Sequence, residues 1–219
     1  MSVLSKLLER LVSRQLLDYI TMAGLMPALQ SAYRRFHSTE IAVLKVLADI
    51  LHALDNGDVA VFTLLDLSAA FDTIDHAILL QRLETSYGIG GCVLRWFTSY
   101  FSGRTQHVRR GKSVSDIIVV LCRVPQGSVL GPTLFLLYMA DLLWLIGHHN
   151  LRPHLYADDT QIYGFCCPTA AAQLQQQVSA CIDDVAVWMQ SNRLQLNTAK
   201  TEVLWCASSR RWYQLPRLA

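Results

Sequence analysis

The spacing of hydrophobic residues predicts long helices near both ends of the chain and buried strands between them. At the start, a period of three to four residues predicts a helix over residues 2–20. Its apolar face consists of Leu4, Leu7, Leu8, Leu11 and Leu16, and its basic face of Lys6, Arg10 and Arg14. A second helix is predicted to begin at a cap on Ser38 or Thr39 and to close at Asn56-Gly57.

The middle of the chain alternates between strand and helix patterns. Residues 59–67 form a continuous apolar run that is typical of a strand buried on both faces. Asp75 is placed to cap a helix over residues 76–87. Two strands, at 105–108 and 117–121, are predicted around a basic turn, and residues 155–163 read as strand, turn and strand.

The second half completes an α+β pattern. The apolar run at 129–147 is interrupted by Gly131-Pro132 and Asp141, so we expect a buried helix and no membrane span. Another helix is predicted from Pro168 to Asn192, where a left-handed residue would end it, followed by strands at 194–196 and 202–206. The order β-α-β-β-α-β with long helices predicts an α+β fold with a ferredoxin-like core.

Composition narrows the class of protein only slightly. The chain is 52% hydrophobic with mean hydropathy +0.27 and net charge +2, which suggests apolar surface that normally meets another segment and neither favours nor excludes nucleic acid. The six cysteines have no C-x-x-C spacing, and the first residues do not look like a signal peptide. We therefore expect reduced thiols and an intracellular protein, in the nucleus, the cytoplasm or both.

Three acidic residues stand where a carboxylate is costly. Asp66 follows the apolar strand, and Asp158 and Asp159 lie between two strand-like segments. Adjacent carboxylates repel, and a divalent cation would remove that repulsion. Two Mg²⁺ ions, or Mn²⁺ in their place, suit hard oxygen ligands. The residues alone leave a second interpretation equally open, in which Asp158-Asp159 is a polar turn and Asp66 a helix cap.

Three segments together resemble one family. They are Phe-Thr-Leu-Leu-Asp-Leu-Ser-Ala-Ala-Phe-Asp at 62–72, Val-Pro-Gln-Gly-Ser-Val-Leu-Gly-Pro at 124–132 and Tyr-Ala-Asp-Asp at 156–159. In this order they are similar to the first catalytic block, the nucleotide-positioning block and the aspartate box of reverse transcriptases, above all those of non-LTR (LINE-like) retrotransposons. The last segment alone would be weak, but the three in order are very specific, and the likeness covers nearly the whole chain.

The resemblance implies an RNA-directed DNA polymerase and an arrangement of domains. Residues 1–58 would be partial helical fingers, 59–206 a palm with the catalytic site, and 207–219 a truncated tail. Asp66 and Asp158 would bind two metal ions, Asp159 would complete the triad, and the Leu67 carbonyl would be a further ligand. The partners would be an RNA template, a DNA primer and dNTPs, with no membrane. Finger, thumb and endonuclease segments of a longer polyprotein would be missing.

The resemblance also implies roles for residues around the triad. Phe71 would exclude a ribose 2′-hydroxyl, although core packing explains the same position. Gln126 and Gly127 would lie under the nucleotide and the template base. Lys200, in the family's later lysine block, would protonate the departing pyrophosphate, or it is a solvated turn residue. Arg34, in the finger block Gln-Ser-Ala-Tyr-Arg at 30–34, would brace nucleic acid or triphosphate, or it is structural.

Some features depart from the family or point elsewhere. Arg123 stands where the family usually has glycine. The basic turn at 104–112 could contact phosphates or be a plain exposed hairpin, and we expect His149 and His154 on the surface. Two other functions remain open, a catalytically silent retroelement fragment and an RNA-dependent RNA polymerase palm. Phe71→Ala should increase ribonucleotide incorporation only by a reverse transcriptase.

Overall fold

The computed structural model describes residues 3–34, 36–125 and 127–216, which divide into two compact units. The first, here called the helical unit, consists of Met1–Met26 and Ala69–Tyr138. The second, the sheet unit, consists of Pro27–Ser68 and Met139–Ala219. This division differs from the predicted boundaries, because residues 27–58 group with the sheet and residues 69–138 group with residues 1–26.

The sheet unit contains a four-stranded antiparallel sheet. Its strands are β1 (Val59–Leu65), β7 (Arg152–Tyr156), β8 (Asp159–Cys166) and β10 (Glu202–Cys206), in the spatial order β10-β1-β8-β7. Numbered within the sheet, this is the order 4-1-3-2 of a ferredoxin-like fold, as the sequence predicted. A separate ladder pairs β2 (Leu67–Ser68) with β9 (Gln195–Leu196).

Helices cover both faces of this sheet. Helix α2 (Thr39–Asp55) packs Val46 and Ile50 against Ala60 and Tyr163. On the opposite face lies α7 (Ala171–Ser191), with α6 (Asp141–His148) beside it. Gly164, which pairs with Val61, lets helix α7 pack closely, since a Cβ there would lie 2.7 Å from Leu151 and 3.1 Å from Leu174 of that helix. The central strand β1 is therefore largely buried between these helices.

The helical unit is built from α1 (Val3–Met22), α3 (His76–Thr85), α4 (Gly91–Phe101) and α5 (Leu130–Met139). Helix α1 forms where predicted, but most of its predicted apolar face is exposed: Leu4, Leu7, Leu8 and Leu11 are 49–76% exposed, whereas Leu16 is buried. Glu9 is buried instead, and its carboxylate accepts hydrogen bonds from the Tyr100 hydroxyl at 3.0 Å and the Val129 amide at 2.7 Å. A buried carboxylate needs hydrogen-bond donors, and Glu9 finds two of them. The face of α1 that carries Glu9 therefore packs inward, in place of most of the face predicted from the leucines.

Four short strands of the helical unit form a projecting antiparallel hairpin over residues 105–119, here called the basic hairpin. They are β3 (Thr105–Gln106), β4 (Arg109–Arg110), β5 (Ser113–Val114) and β6 (Ile118–Val119), with β3 paired to β6 and β4 to β5. Every residue from 105 to 119 is exposed. The hairpin therefore presents its charges to solvent on both faces.

Local signals define several element ends as predicted. Ser38 caps α2 by accepting a hydrogen bond from the Ile41 amide, and Asp75 caps α3 through the amides of Ala77 and Ile78. Helix α7 ends at Asn192 as expected, but the left-handed residue is the next one, Arg193, with φ +57°. The apolar run 129–147 becomes two helices, α5 and α6.

One stretch, Leu130–His148, is long and apolar enough to cross a membrane by length and composition. In this structure 61% of that window is buried within the protein, as is typical of core helices.

Candidate catalytic site

The structure brings the three predicted carboxylates to the same end of neighbouring strands. Asp66 directly follows β1, and Asp159 is the first residue of β8. The pairing of Leu65 with Thr160 places Asp66 level with Asp159. Asp158 is the second residue of the two-residue turn that joins β7 to β8. Residues about a hundred positions apart in the chain thus share one sheet edge because β1 and β8 pair side by side.

The turn that carries Asp158 is tight and strained. Ala157, its first residue, has φ +55°, in the left-handed region that residues with a Cβ rarely adopt. Such a conformation costs about 1 kcal/mol and persists only where neighbours impose it. Gln30 is one such neighbour: its side-chain oxygen accepts a hydrogen bond from the Ala157 amide at 3.2 Å.

Lys200 lies at the same site, as the resemblance implied. Its Nζ is 3.2 Å from Oδ2 of Asp66, whose side chain is only 25% exposed. The Asn197 side-chain amide donates to the same oxygen at 3.1 Å, and the Asn197 backbone amide donates to the Asp66 carbonyl at 2.9 Å. Asn197 was not singled out in the sequence, although it stands three residues before Lys200 in the same block.

Electrostatics at the site show a surplus of negative charge. Partial burial, and then the charges of Asp158 and Asp66, raise the pKa of Asp159, while Lys200 lowers it. Burial is also the main cause that raises the pKa of Tyr33, and Asp158 adds to it. A cation near these carboxylates would therefore be bound favourably.

Within the ranges that the structure describes, no three His, Cys, Asp or Glu side chains form a ready-made metal site. The Asp66 carboxylate is turned to Lys200 and Asn197. The donor chemistry still fits a hard divalent cation, because the three aspartates lie at one end of paired strands and carboxylate oxygens are the ligands that such a cation prefers. Leu67, the predicted carbonyl ligand, is the first residue of β2 and pairs with Leu196. The roles of these residues as ligands stay predictions.

Two other predicted site residues belong to the helical unit. Phe71 is half-buried in a short 3-10 turn, with its ring centroid 4.5 Å from that of Phe135. Gly127 has φ +74°, and no atom lies within 4 Å of the position a Cβ would take, so its surroundings allow a close approach. Gln126 lies outside the described residues. None of these observations tests the roles implied for the three.

Arg34 is engaged with its own loop. Its Nη1 donates to the carbonyls of Pro27, Ala28 and Gln30 at 3.1–3.2 Å. Nη1 has two hydrogens, which are shared among these three backbone carbonyls, so this nitrogen is fully engaged in holding the loop together. This favours the structural alternative, and a role in binding substrate stays a prediction.

The histidine expectation is wrong for His154. It is 4% exposed within β7, and its Nε2 lies 3.0 Å from the Ser31 hydroxyl. Burial lowers its pKa, the charge of Lys45 lowers it further, and Asp49 opposes this. His149 is partly exposed and pairs with Asp184 at 2.9 Å. The sequence could not locate His154, because the segment that covers it is more than a hundred residues away.

Comparison with known proteins identifies relatives over nearly the whole chain. Residues 1–212 match the family described as reverse transcriptase (RNA-dependent DNA polymerase). In Drosophila melanogaster, a probable RNA-directed DNA polymerase from transposon BS is 32% identical over 92% of this chain and 22% of that protein. The RNA-directed DNA polymerase from mobile element jockey is 30% identical over 73% of this chain and 18% of that protein. The chain spans about a fifth of the length of these relatives.

Solved structures share the fold. Apo telomerase from Candida tropicalis, truncated from its C-terminal domain, superposes with a TM-score of 0.68 over 94% of this chain and 41% of that one, at 12% identity. Telomerase from Candida albicans, solved with a fragment of telomeric RNA, gives 0.60 over 92% of this chain and 34% of that one, at 13% identity. At such identity the likeness concerns architecture, and it confirms the predicted α+β polymerase palm.

Proposed function

The chain belongs to the reverse transcriptase family of RNA-dependent DNA polymerases, and on that premise we propose that it transfers deoxynucleotides to the 3′-hydroxyl of a DNA primer along an RNA template. In this reaction the primer 3′-oxygen bonds to the α-phosphorus of a dNTP, and the bond to pyrophosphate breaks. The observation that carries the proposal is the gathering of Asp66, Asp158 and Asp159 at one end of β1 and the β7–β8 hairpin.

We assign the three carboxylates to two divalent cations, Mg²⁺ or Mn²⁺ as a substitute. When bound, such ions lower the pKa of the attacking hydroxyl and stabilise the charge of the leaving pyrophosphate. Asp66 and Asp158 would be ligands from two adjacent backbone segments, and Asp159 and the Leu67 carbonyl would complete the set. Burial is the main cause that raises the pKa of Asp159, and the charges of Asp158 and Asp66 add to it; this added repulsion is what bound cations would relieve, which supports the assignment.

Lys200 is proposed to act on the leaving group. Its Nζ already lies within 3.2 Å of Asp66, and its side chain is 68% exposed, so it is free to reach solvent-side phosphate oxygens. There it would donate a proton to pyrophosphate or offset its charge. The 3-10 turn Thr198–Lys200, fixed by Asn197 bonds to Asp66, sets the origin of this side chain.

Residues of the helical unit are proposed to select the nucleotide. The Phe71 ring would fill the space that a ribose 2′-hydroxyl needs, and its packing on Phe135 would keep it rigid. Gly127 would let the nucleotide approach the backbone closely, and Gln126 would offer an amide for hydrogen bonds. Arg34 would contact triphosphate or nucleic acid only with the nitrogens not used in its loop.

The basic hairpin is proposed to contact nucleic-acid phosphates. Its cations are Arg109, Arg110 and Lys112, with Arg104 stacked on Tyr100 at its base, 4.1 Å from the ring centroid. Against them stands one acid, Asp116. Exposed arginines and lysines on a projecting hairpin are well placed for backbone contacts, which carry most non-specific affinity.

Primer extension tests the polymerase proposal. The purified chain is incubated with poly(rA)/oligo(dT), dTTP and Mg²⁺, and product length is followed on gels. We expect incorporation that Asp158→Ala abolishes. Asp183→Ala, which removes an exposed acid from α7 of the same unit, is the matched control and should retain full activity.

The outcomes separate the competing functions. No incorporation at any concentration of well-folded protein would support the alternative of a catalytically silent retroelement fragment. Activity that survives Asp158→Ala would refute the assigned site. For a reverse transcriptase, Phe71→Ala should raise incorporation of ribonucleotides relative to deoxynucleotides. Unchanged sugar selectivity would instead favour an RNA-dependent RNA polymerase palm.

A further inference from the structure

The segment Leu29–Ser31 lies along the outer edge of β7, next to the turn that carries Asp158. The Leu155 amide donates to the Leu29 carbonyl at 2.9 Å, and the Ser31 amide donates to the Leu155 carbonyl at 3.0 Å. These two bonds make a parallel bridge between Gln30 and Leu155. The segment therefore extends the sheet by one short strand and covers an edge that would otherwise be open.

Gln30 reaches from this strand to the turn. Its side-chain oxygen accepts hydrogen bonds from the amides of Ala157, at 3.2 Å, and Ala32, at 3.0 Å, and its nitrogen lies 3.5 Å from the Ala157 carbonyl. The side chain is 1% exposed. A primary amide carries a donor and an acceptor on one planar group, so it can engage both backbone groups of a single residue.

The residue held in this way is the strained one. Ala157 is buried and has φ +55°, and it lies in the turn outside the paired residues of β7 and β8. A two-residue turn needs such backbone geometry, and Gln30 supplies partners for it inside the protein. Asp158 is bonded directly to Ala157, so the position of one peptide unit decides where its carboxylate begins.

Gln30 is itself anchored. Arg34 donates to the Gln30 carbonyl at 3.1 Å and to the Pro27 carbonyl at 3.1 Å, which closes the loop around it. The neighbouring Ser31 hydroxyl contacts His154 of β7 at 3.0 Å. The amide of Gln30 thus acts from a fixed base, and few other rotamers are open to it.

We propose that Gln30 is a positioning residue for Asp158: it fixes the backbone of Ala157 and thereby holds the Asp158 carboxylate beside Asp66 and Asp159. The role assigned to Asp158 rests on the proposed function. Gln30 itself touches neither metal nor substrate.

Gln30→Met tests this inference, because methionine has nearly the same length and volume but neither hydrogen-bonding group. Ser31→Ala is the matched control: it removes a buried contact from the same strand without touching Ala157. Amide hydrogen exchange at Ala157 is measured by NMR, Mn²⁺ binding by electron paramagnetic resonance, and kcat and KM for dTTP by primer extension.

Gln30→Met should speed exchange of the Ala157 amide at least tenfold and weaken Mn²⁺ binding about tenfold, as is usual when an outer partner of a ligand is lost. We expect kcat to fall while KM for dTTP stays unchanged, and Ser31→Ala should leave all of these values near the wild type. Should Gln30→Met not fold, Gln30→Glu takes its place, because glutamate keeps the acceptor and loses the donor. We expect Gln30→Glu to leave exchange of the Ala157 amide slow and still to weaken Mn²⁺ binding.

Unchanged exchange at Ala157 in Gln30→Met, or equal loss of Mn²⁺ affinity in Ser31→Ala, would overturn the inference. Failure of the proposed function gives a different result. In that case Asp158→Ala would bind Mn²⁺ as well as the wild type does, while the exchange measurement would still report on the contact between Gln30 and Ala157.

Discussion

Arg123 occupies a backbone position that favours glycine, and its replacement should reveal the cost. Its φ is +87°. Two hydrogen bonds, each 2.8 Å long, hold the backbone of this residue. The Arg123 amide donates to the Ile74 carbonyl, and the Arg123 carbonyl pairs with Nε2 of His76. The conformation is therefore imposed by the surroundings, and it is one that glycine adopts more easily than arginine.

The expected magnitudes follow from two separate contributions. The Arg123 guanidinium lies 3.5 Å from Asp72, with side chains 26% and 42% exposed, and also contacts Gln106. Such partly exposed contacts are together worth about 1 kcal/mol. A glycine at position 123 would relieve the left-handed strain, which stabilises the fold by about 1–2 kcal/mol. The greater freedom of glycine in the unfolded chain lowers this gain by about 0.5–1 kcal/mol.

Arg123→Ala should therefore lose about 1 kcal/mol of stability, because it gives up the contacts and keeps the strain. Arg123→Gly should be more stable than Arg123→Ala by roughly 0.5–1 kcal/mol, or about 1–4 °C in Tm for a chain of this size. Thermal unfolding and urea titration of both variants measure the difference.

The helical position Arg95 provides the control. It is exposed on α4, where glycine should be less stable than alanine by about 1 kcal/mol. The same pair of substitutions thus has opposite signs at the two sites. If Arg123→Gly were also less stable than Arg123→Ala, the strain argument would be refuted.

Three further predictions concern titration and charge. Because burial lowers the pKa of His154, the unfolded chain takes up a proton that the native chain does not, so stability should fall as pH drops below about 6.5. In urea titrations the stability of His154→Asn should depend less on pH than that of the wild type, and an equal dependence would contradict this. Burial raises the pKa of Cys166 to about 11, while a hydrogen bond with Thr169 lowers the pKa of Cys167. At pH 8, iodoacetamide should therefore alkylate Cys167 about tenfold faster than Cys166 by mass spectrometry, a factor that already allows for the weaker nucleophilicity of the Cys167 thiolate. Equal rates would count against the assigned environments. Replacing Arg109 and Arg110 with Gln should make the salt dependence of duplex binding shallower by about 1.5 in log–log slope, whereas an unchanged slope would show that the basic hairpin does not touch phosphates.

Features set by neighbours along the chain could be predicted from the sequence. Ser38 and Asp75 predict the starts of their helices correctly, because a capping side chain bonds to amides only two or three residues away. The β7–β8 hairpin with Asp158 at its turn is equally local. The placement of Asp66 beside it depends on pairing between distant strands, and the residues alone left two interpretations until the resemblance favoured one of them.

Features set by distant partners escaped prediction. Glu9 of α1 is buried where Tyr100 and Val129, about a hundred residues later in the chain, donate hydrogen bonds to it. The leucine pattern could not indicate this, and four of the five leucines on the predicted face are exposed. Helix α4 begins at Gly90 without a side-chain cap, which left no local signal for its start. Gln30 looked like one residue of a finger block, since its partner Ala157 lies far along the sequence.

The insertion of residues 69–138 between β1 and the rest of its sheet bears on how the protein is synthesised. When β1 leaves the ribosome, its partner β8 is still roughly a hundred residues from being made, and β10 follows later still. The apolar strand that precedes Asp66 must wait unpaired for several seconds at ordinary rates of translation, while both parts of the helical unit are completed before β8 is made. Helix α2 precedes β1 in the chain, so by packing on Ala60 it would shield one face of that strand during the interval.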